Sequence, residues 1–148
     1  MKKIYLAGPF FSESQIKRIT KVEKALAANP TTGEIFSPRL SDENDDSINA
    51  GSPAWAKSIF NKDVAEIDNA DIIVAITDFA YENVDSGTAF EIGYAYKLKK
   101  PIILLQEKDE PLNLMVSQAG HYYTKSIDDL ASYDFNALPA KEYTGKAF

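Results

Sequence analysis

Short runs of consecutive apolar residues alternate along the chain with stretches in which apolar positions recur every three or four residues, the pattern of strands and helices in turn. Runs of strand length fall at residues 3–7, 34–37, 72–77, 102–106 and 122–124. After the first, Ile16, Ile19, Val22 and Leu26 make a helical stripe, opened by Ser12 and Gln15 in capping-box spacing and stopped by Asn29-Pro30. Ser52-Pro53 reads as the cap and first position of a helix to about residue 69, with Trp55, Ile59, Phe60, Val64 and Ile67 on its apolar face. A further helix is predicted over 87–99, short ones over 111–118 and 127–132, and an irregular tail over 137–148, where Tyr143 and Phe148 point to docking rather than fraying.

Strands and helices in strict alternation predict an α/β fold: a flavodoxin-like, doubly wound, five-stranded parallel sheet with right-handed crossovers, in a single domain spanning 1–148. In such sheets ligands bind beyond the carboxyl ends of the strands, which directs attention to the loops after Ala7, Ser37, Thr77 and Gln106. Residues 38–52 carry Asp42, Glu43, Asp45 and Asp46 but little to bury, a loop long enough to be functional or disordered.

Composition narrows the chemistry. The 148 residues contain no cysteine and one histidine, His121, so thiol nucleophiles, zinc–thiolate sites and His-based metal clusters are excluded; no metal and no cofactor is expected. His121, beside two tyrosines, reads as a packed strand residue. A formal charge of −6 argues against nucleic acid as a partner, and no apolar run approaches the ~20 residues of a membrane span. The N-terminal run is too short for a signal peptide, and the chain is expected in the cytoplasm.

Carboxylates, hydroxyls and amides remain. In Asp85-Ser86-Gly87-Thr88-Ala89-Phe90-Glu91, Asp85 or Ser86 would cap a helix and Glu91 would lie in its first or second turn, beyond a central strand. Desolvation disfavours a charged carboxyl, so a nucleophilic Glu91 needs donors; Tyr5, at the end of the adjacent first strand, is a candidate. A solvated helix glutamate is the alternative. Asp63 falls about 40° from Ile67 and about 60° from Phe60 on its helix, an inward place that a carboxylate takes only when paired or functional; a helix-edge salt bridge with Lys62 or Arg39 is the alternative. Gly8 lets the first loop approach a ligand while Phe10 and Phe11 offer rings to a flat base, or else pack beneath the loop. Asn113 and Met115 follow the break after a buried strand, near the active edge or facing another subunit.

Five segments in order resemble the nucleoside 2-deoxyribosyltransferase family: Ile4-Tyr5 through Phe11, Asn61-Lys62-Asp63, Asp85 with Glu91 and Gly93-Tyr94-Ala95, Pro111-Leu112-Asn113-Leu114-Met115, and an aromatic C-terminus. The resemblance implies that Glu91 is a nucleophile oriented by Tyr5. It implies that Asp63 and Asp85 bind base and sugar, one of them assisting base protonation, and that the Phe148 carboxylate helps hold the sugar. Asn113 is implied to reach a neighbouring subunit's site in a homo-oligomer built from dimers, such as a tetramer or hexamer. The chain departs from the family pattern at Pro9, Arg39 and Asp42.

The expected activity is transfer of 2-deoxyribose between purine or pyrimidine bases, with 2′-deoxynucleosides and free nucleobases as partners, through a covalent deoxyribosyl-glutamate with net retention. Two rivals stand beside it. A deoxynucleoside 5′-monophosphate N-glycosidase would gather serines and a cation around the phosphate, whereas residues 8–12 hold one serine and no cation. A non-catalytic nucleotide or flavin module would need neither Glu91 nor Asp63.

Overall fold

The computed structural model describes residues 1–42 and 49–148. Strands β1 (Lys2–Ala7), β2 (Thr32–Phe36), β3 (Ile72–Ile76), β4 (Ile102–Leu105) and β5 (Tyr122–Thr124) form one sheet in the order β2-β1-β3-β4-β5, every pair parallel. This is the flavodoxin-like order, and its switch point lies between β1 and β3. The helices are α1 (Glu13–Ala28), α2 (Pro38–Asp42), α3 (Pro53–Asn69), α4 (Ser86–Lys97), α5 (Leu114–Ser117) and α6 (Ile127–Ser132).

Strand alternation divides the core into two layers. Ile4 and Leu6, with Ile72, Val74 and Ile76, pack against Ile19, Val22 and Leu26 of α1 and Leu130 of α6. Tyr5 and Ala7, with Ile73 and Ala75, face the other way, onto Ile67 of α3 and Ile92 and Ala95 of α4. The period of two therefore aims Tyr5 at α4.

Local chemistry sets most element ends. Ser12 and Gln15 form the reciprocal capping box of α1, and Asn29 closes that helix. Ser52 caps α3 through the Trp55 N–H, with Pro53 at the first position. Helix α4 stops at Lys97, two residues before its predicted end. Lys99 takes a left-handed conformation (φ 60°), with Lys99 N–H bonded to the Tyr96 carbonyl and Lys100 N–H to that of Ala95, a Schellman ending.

Other expectations need correction. Strand β2 starts at Thr32 and ends at Phe36, because Ser37 leaves the ladder and donates its hydroxyl to Glu23. Residues 38–42 are helical rather than loop, with proline at the favoured first position; the remaining acidic positions of that stretch lie outside the described residues. Ile16 is exposed, because the first turn of α1 stands at the carboxyl edge of the sheet rather than over it. On α3 only Ile67 is buried; Trp55, Ile59 and Val64 are half-buried and Phe60 is exposed, since that face borders a cavity.

The tail is docked. Isolated parallel bridges join Tyr122 to Lys141 and Leu112 to Ala147, and the Leu114 N–H reaches the Phe148 carbonyl at 2.9 Å. His121 is structural: its Nε2 meets the Leu138 carbonyl at 2.7 Å. Among the described residues no helix is long and apolar enough to cross a membrane.

Candidate active site

Tyr5 is fully buried in β1, and its hydroxyl donates to Glu91 Oε2. Its ring stacks on Phe36, one strand away in register, with centroids 5.6 Å apart and planes 25° from parallel. Glu91 is half-buried in the second turn of α4. The N-terminus of α4 is fixed by Asp85, whose Oδ2 accepts from the Thr88 N–H at 3.0 Å and the Thr88 hydroxyl at 3.1 Å. Gly87 faces that carboxylate so closely that a Cβ would lie 3.2 Å from Oδ2.

Glu91 shares the wall of a cavity of about 300 Å³ with Asp63, Trp55, Ile59, Phe60 and Phe90. Two helices thus bring two carboxylates to one mostly apolar hollow. Its size is at the small end of the range that holds small organic ligands. From the wall outward, Phe60, Phe90 and Tyr94 form a run of ring contacts at 5.8 and 6.1 Å. The Tyr94 hydroxyl donates to Asp68 at 2.6 Å, a bond that raises its pKa.

In the first loop, Gly8 lies against Ile76, where a Cβ would approach within 3.1 Å. The aromatic pair divides its duties: Phe10 packs on the core layer beneath it, and Phe11, stacked on Phe10 at 5.8 Å, is 70% exposed with its edge toward Phe79. Asn113, Met115 and Phe148 gather elsewhere, in a cavity of about 590 Å³ bordered by Ile92, Gly93 and Tyr96 on another face of α4. Asn113 caps α5 through the Met115 N–H, and Met115 itself is 75% exposed. Within one chain this group does not join Glu91. Arg39 turns inward and makes a two-pronged pair with Glu23 at 2.8 and 2.7 Å. Among the described residues, no group of three or more His, Cys, Asp or Glu side chains could hold a metal ion.

Sequence reading missed five contributors. Trp55, Phe60 and Phe90 wall the cavity, although helical spacing made the first two look like core. Phe36 supports Tyr5, and only the pairing of β1 with β2 reveals it. Asp78 is buried at the end of β3 and accepts the N–H groups of Glu107 and Lys108 at 2.8 and 2.9 Å, so it ties the exits of β3 and β4 together.

A parallel sheet of this order, with a strand tyrosine clasping a helix glutamate beside a small hollow, defines a flavodoxin-like α/β protein with a hydrogen-bonded carboxylate at a candidate ligand site. Comparison with known proteins supplies the family. The profile of the nucleoside 2-deoxyribosyltransferase family matches residues 4–125. A nucleoside deoxyribosyltransferase of Limosilactobacillus fermentum is 35% identical over 145 residues, covering 90% of this chain and 85% of that protein. The solved structure of a 2-deoxyribosyltransferase from Bacillus psychrosaccharolyticus superposes with a TM-score of 0.85 at 37% identity, covering 96% of this chain and 99% of the other. A 2-desoxiribosyltransferase from Leishmania mexicana superposes with a TM-score of 0.57 at 27% identity, covering 75% and 68% respectively. The chain belongs to the nucleoside 2-deoxyribosyltransferase family, a family of glycosyltransferases that act on N-glycosidic bonds.

Proposed function

We propose that this chain transfers 2-deoxyribose from a 2′-deoxynucleoside to a free nucleobase, in two inversions through an ester on Glu91. The observation that carries the reading is the Tyr5–Glu91 hydrogen bond at the wall of the cavity that Asp63 also lines. One carboxylate oxygen is held by the phenol, which orients the other for attack on C1′. As the C1′–N bond lengthens, its electron pair passes to the base nitrogen, which takes a proton from a carboxylic acid; in this reading Asp63, which lines the same cavity as Glu91, supplies it. A Glu91 oxygen then bonds to C1′ as oxocarbenium character collapses. The second base attacks the same carbon, the ester bond breaks toward Glu91, and the incoming base returns its proton to Asp63.

Asp85 has a separate part: it caps α4 and so sets the height of Glu91. Apolar walls keep water from the ester, which favours transfer over hydrolysis. Asn113, Met115 and the Phe148 carboxylate would serve a neighbouring copy's site, in an oligomer built from dimers. The reading treats residues 1–148 as one catalytic domain working in the cytoplasm, without metal or cofactor.

The test is base exchange between deoxyinosine and adenine, followed as new deoxyadenosine. Glu91→Gln should lower exchange by about 10³-fold or more, as loss of a covalent nucleophile does. A 2-fluoro sugar analogue should leave its adduct on the peptide containing Glu91. Exchange within about tenfold of wild type, or an adduct on another peptide, would overturn the assignment. Running deoxyadenosine against its 5′-monophosphate separates transfer from the N-glycosidase alternative.

A further inference from the structure

The Tyr5 hydroxyl reaches Glu91 only while its ring keeps one tilt, and within the layer that buries that ring the Phe36 ring stacks on it. Phe36 is the last residue of β2, an edge strand that pairs on one side only, where Phe36 lies in register with Tyr5 of β1. Backbone pairing alone is therefore a poor anchor for its end. The anchor comes from α1. Ser37 donates to Glu23 at 2.8 Å, Arg39 clasps both oxygens of the same carboxylate, and Arg39 Nη2 also reaches Thr20 at 3.1 Å. The Arg39 and Glu23 side chains are each only 14% exposed, so this clamp is poorly screened by solvent.

We infer that Phe36, held by the Glu23–Arg39 clamp, is a positioning residue that sets the Tyr5 ring for its bond to Glu91. The inference rests on the role proposed for Glu91. It also gives Arg39 a use: its charge is spent inside the fold, on alignment, rather than on the base.

The experiment measures kcat and KM for deoxyinosine, with adenine saturating, in Phe36→Ala, Phe36→Leu and Phe36→Tyr, each made in the wild-type and the Tyr5→Phe backgrounds. Displacing a catalytic group by a fraction of an ångström should lower kcat by about tenfold in Phe36→Ala, with KM within about twofold. Phe36→Leu fills most of the volume without a flat ring, so it should fold and still lose kcat, whereas Phe36→Tyr should restore it. In the Tyr5→Phe background none of the three should change kcat further, because the bond they serve is already gone. Equal losses in both backgrounds, or a loss confined to KM, would overturn the inference. If Glu91→Gln stays active, the role of Glu91 falls; if Glu91→Gln is dead and Phe36→Leu retains full kcat, the inference about Phe36 falls alone.

Discussion

Tyr5 and Glu91 stand 86 residues apart in sequence, and the phenol of one donates directly to the carboxylate of the other. The contact needs three separate alignments: the odd-numbered face of β1, the cap that starts α4 at Ser86, and the parallel placement of β1 beside β3. Removing the phenol oxygen alone tests it. Tyr5→Phe keeps the ring, so the fold and the stacking on Phe36 should persist, while steady-state exchange should fall by roughly 10–100-fold in kcat as the nucleophile loses its orientation. Unchanged kcat would separate this bond from the chemistry.

Asp85 caps the helix that carries Glu91, and two substitutions tell that role from one for its charge. Asp85→Ala loses the bonds to Thr88 and should cost about 1 kcal/mol in urea unfolding. Asp85→Asn keeps a capping oxygen, so its stability should stay near wild type. Any loss of exchange in Asp85→Asn then reports on charge rather than helix geometry.

Asp78 predicts a stability effect without a part in bond cleavage. Its carboxylate answers two backbone N–H groups in a buried position, and Asp78→Ala would leave both without an acceptor. A loss of about 2–4 kcal/mol by chemical denaturation is expected. Asp78→Asn, which can accept one of the two, should fall between the variant and wild type.

Alkaline pH should weaken the fold through Tyr133. Burial first, then the neighbouring Tyr122 and Asp134, push its pKa up to about 12, and its hydroxyl donates to the Pro139 carbonyl at 2.7 Å. A tyrosine in the unfolded chain ionises near 10, so between about pH 10 and 12 the unfolded state has released a proton that the folded state keeps. Stability is then full below about pH 10 and declines toward 12. Urea midpoints measured across that window should fall in wild type and fall less steeply in Tyr133→Phe.

The architecture was legible because strand runs and helical stripes are local signals: residues 72–76 are apolar throughout and lie in the doubly covered centre, and Ser12 with Gln15 announces α1 in four residues. The Tyr5–Glu91 contact was legible too, because a carboxylate beside a central strand needs a donor and the first strand offers Tyr5. Other features depend on distant partners. Arg39 looked like a loop cation because Glu23, which consumes its charge, lies 16 residues earlier on another element. Trp55 and Phe60 looked like core because periodicity reports which side of a helix is apolar, not whether something fills the space it faces. The left-handed turn at Lys99 had no glycine to mark it.

Strand β1 lies between β2 and β3, and its residues 4–7 pair with 72–75. A growing polypeptide that has produced only β1 and β2 can zip these two together, yet it must wait for distant chain to complete the central rungs, a late and slow closure in topological terms. Residue 91 arrives later still. A nascent or half-refolded molecule therefore owns the phenol without its acid, and regained turnover in a refolding experiment should lag behind regained helical signal, making activity a clock for the closing of the sheet's middle.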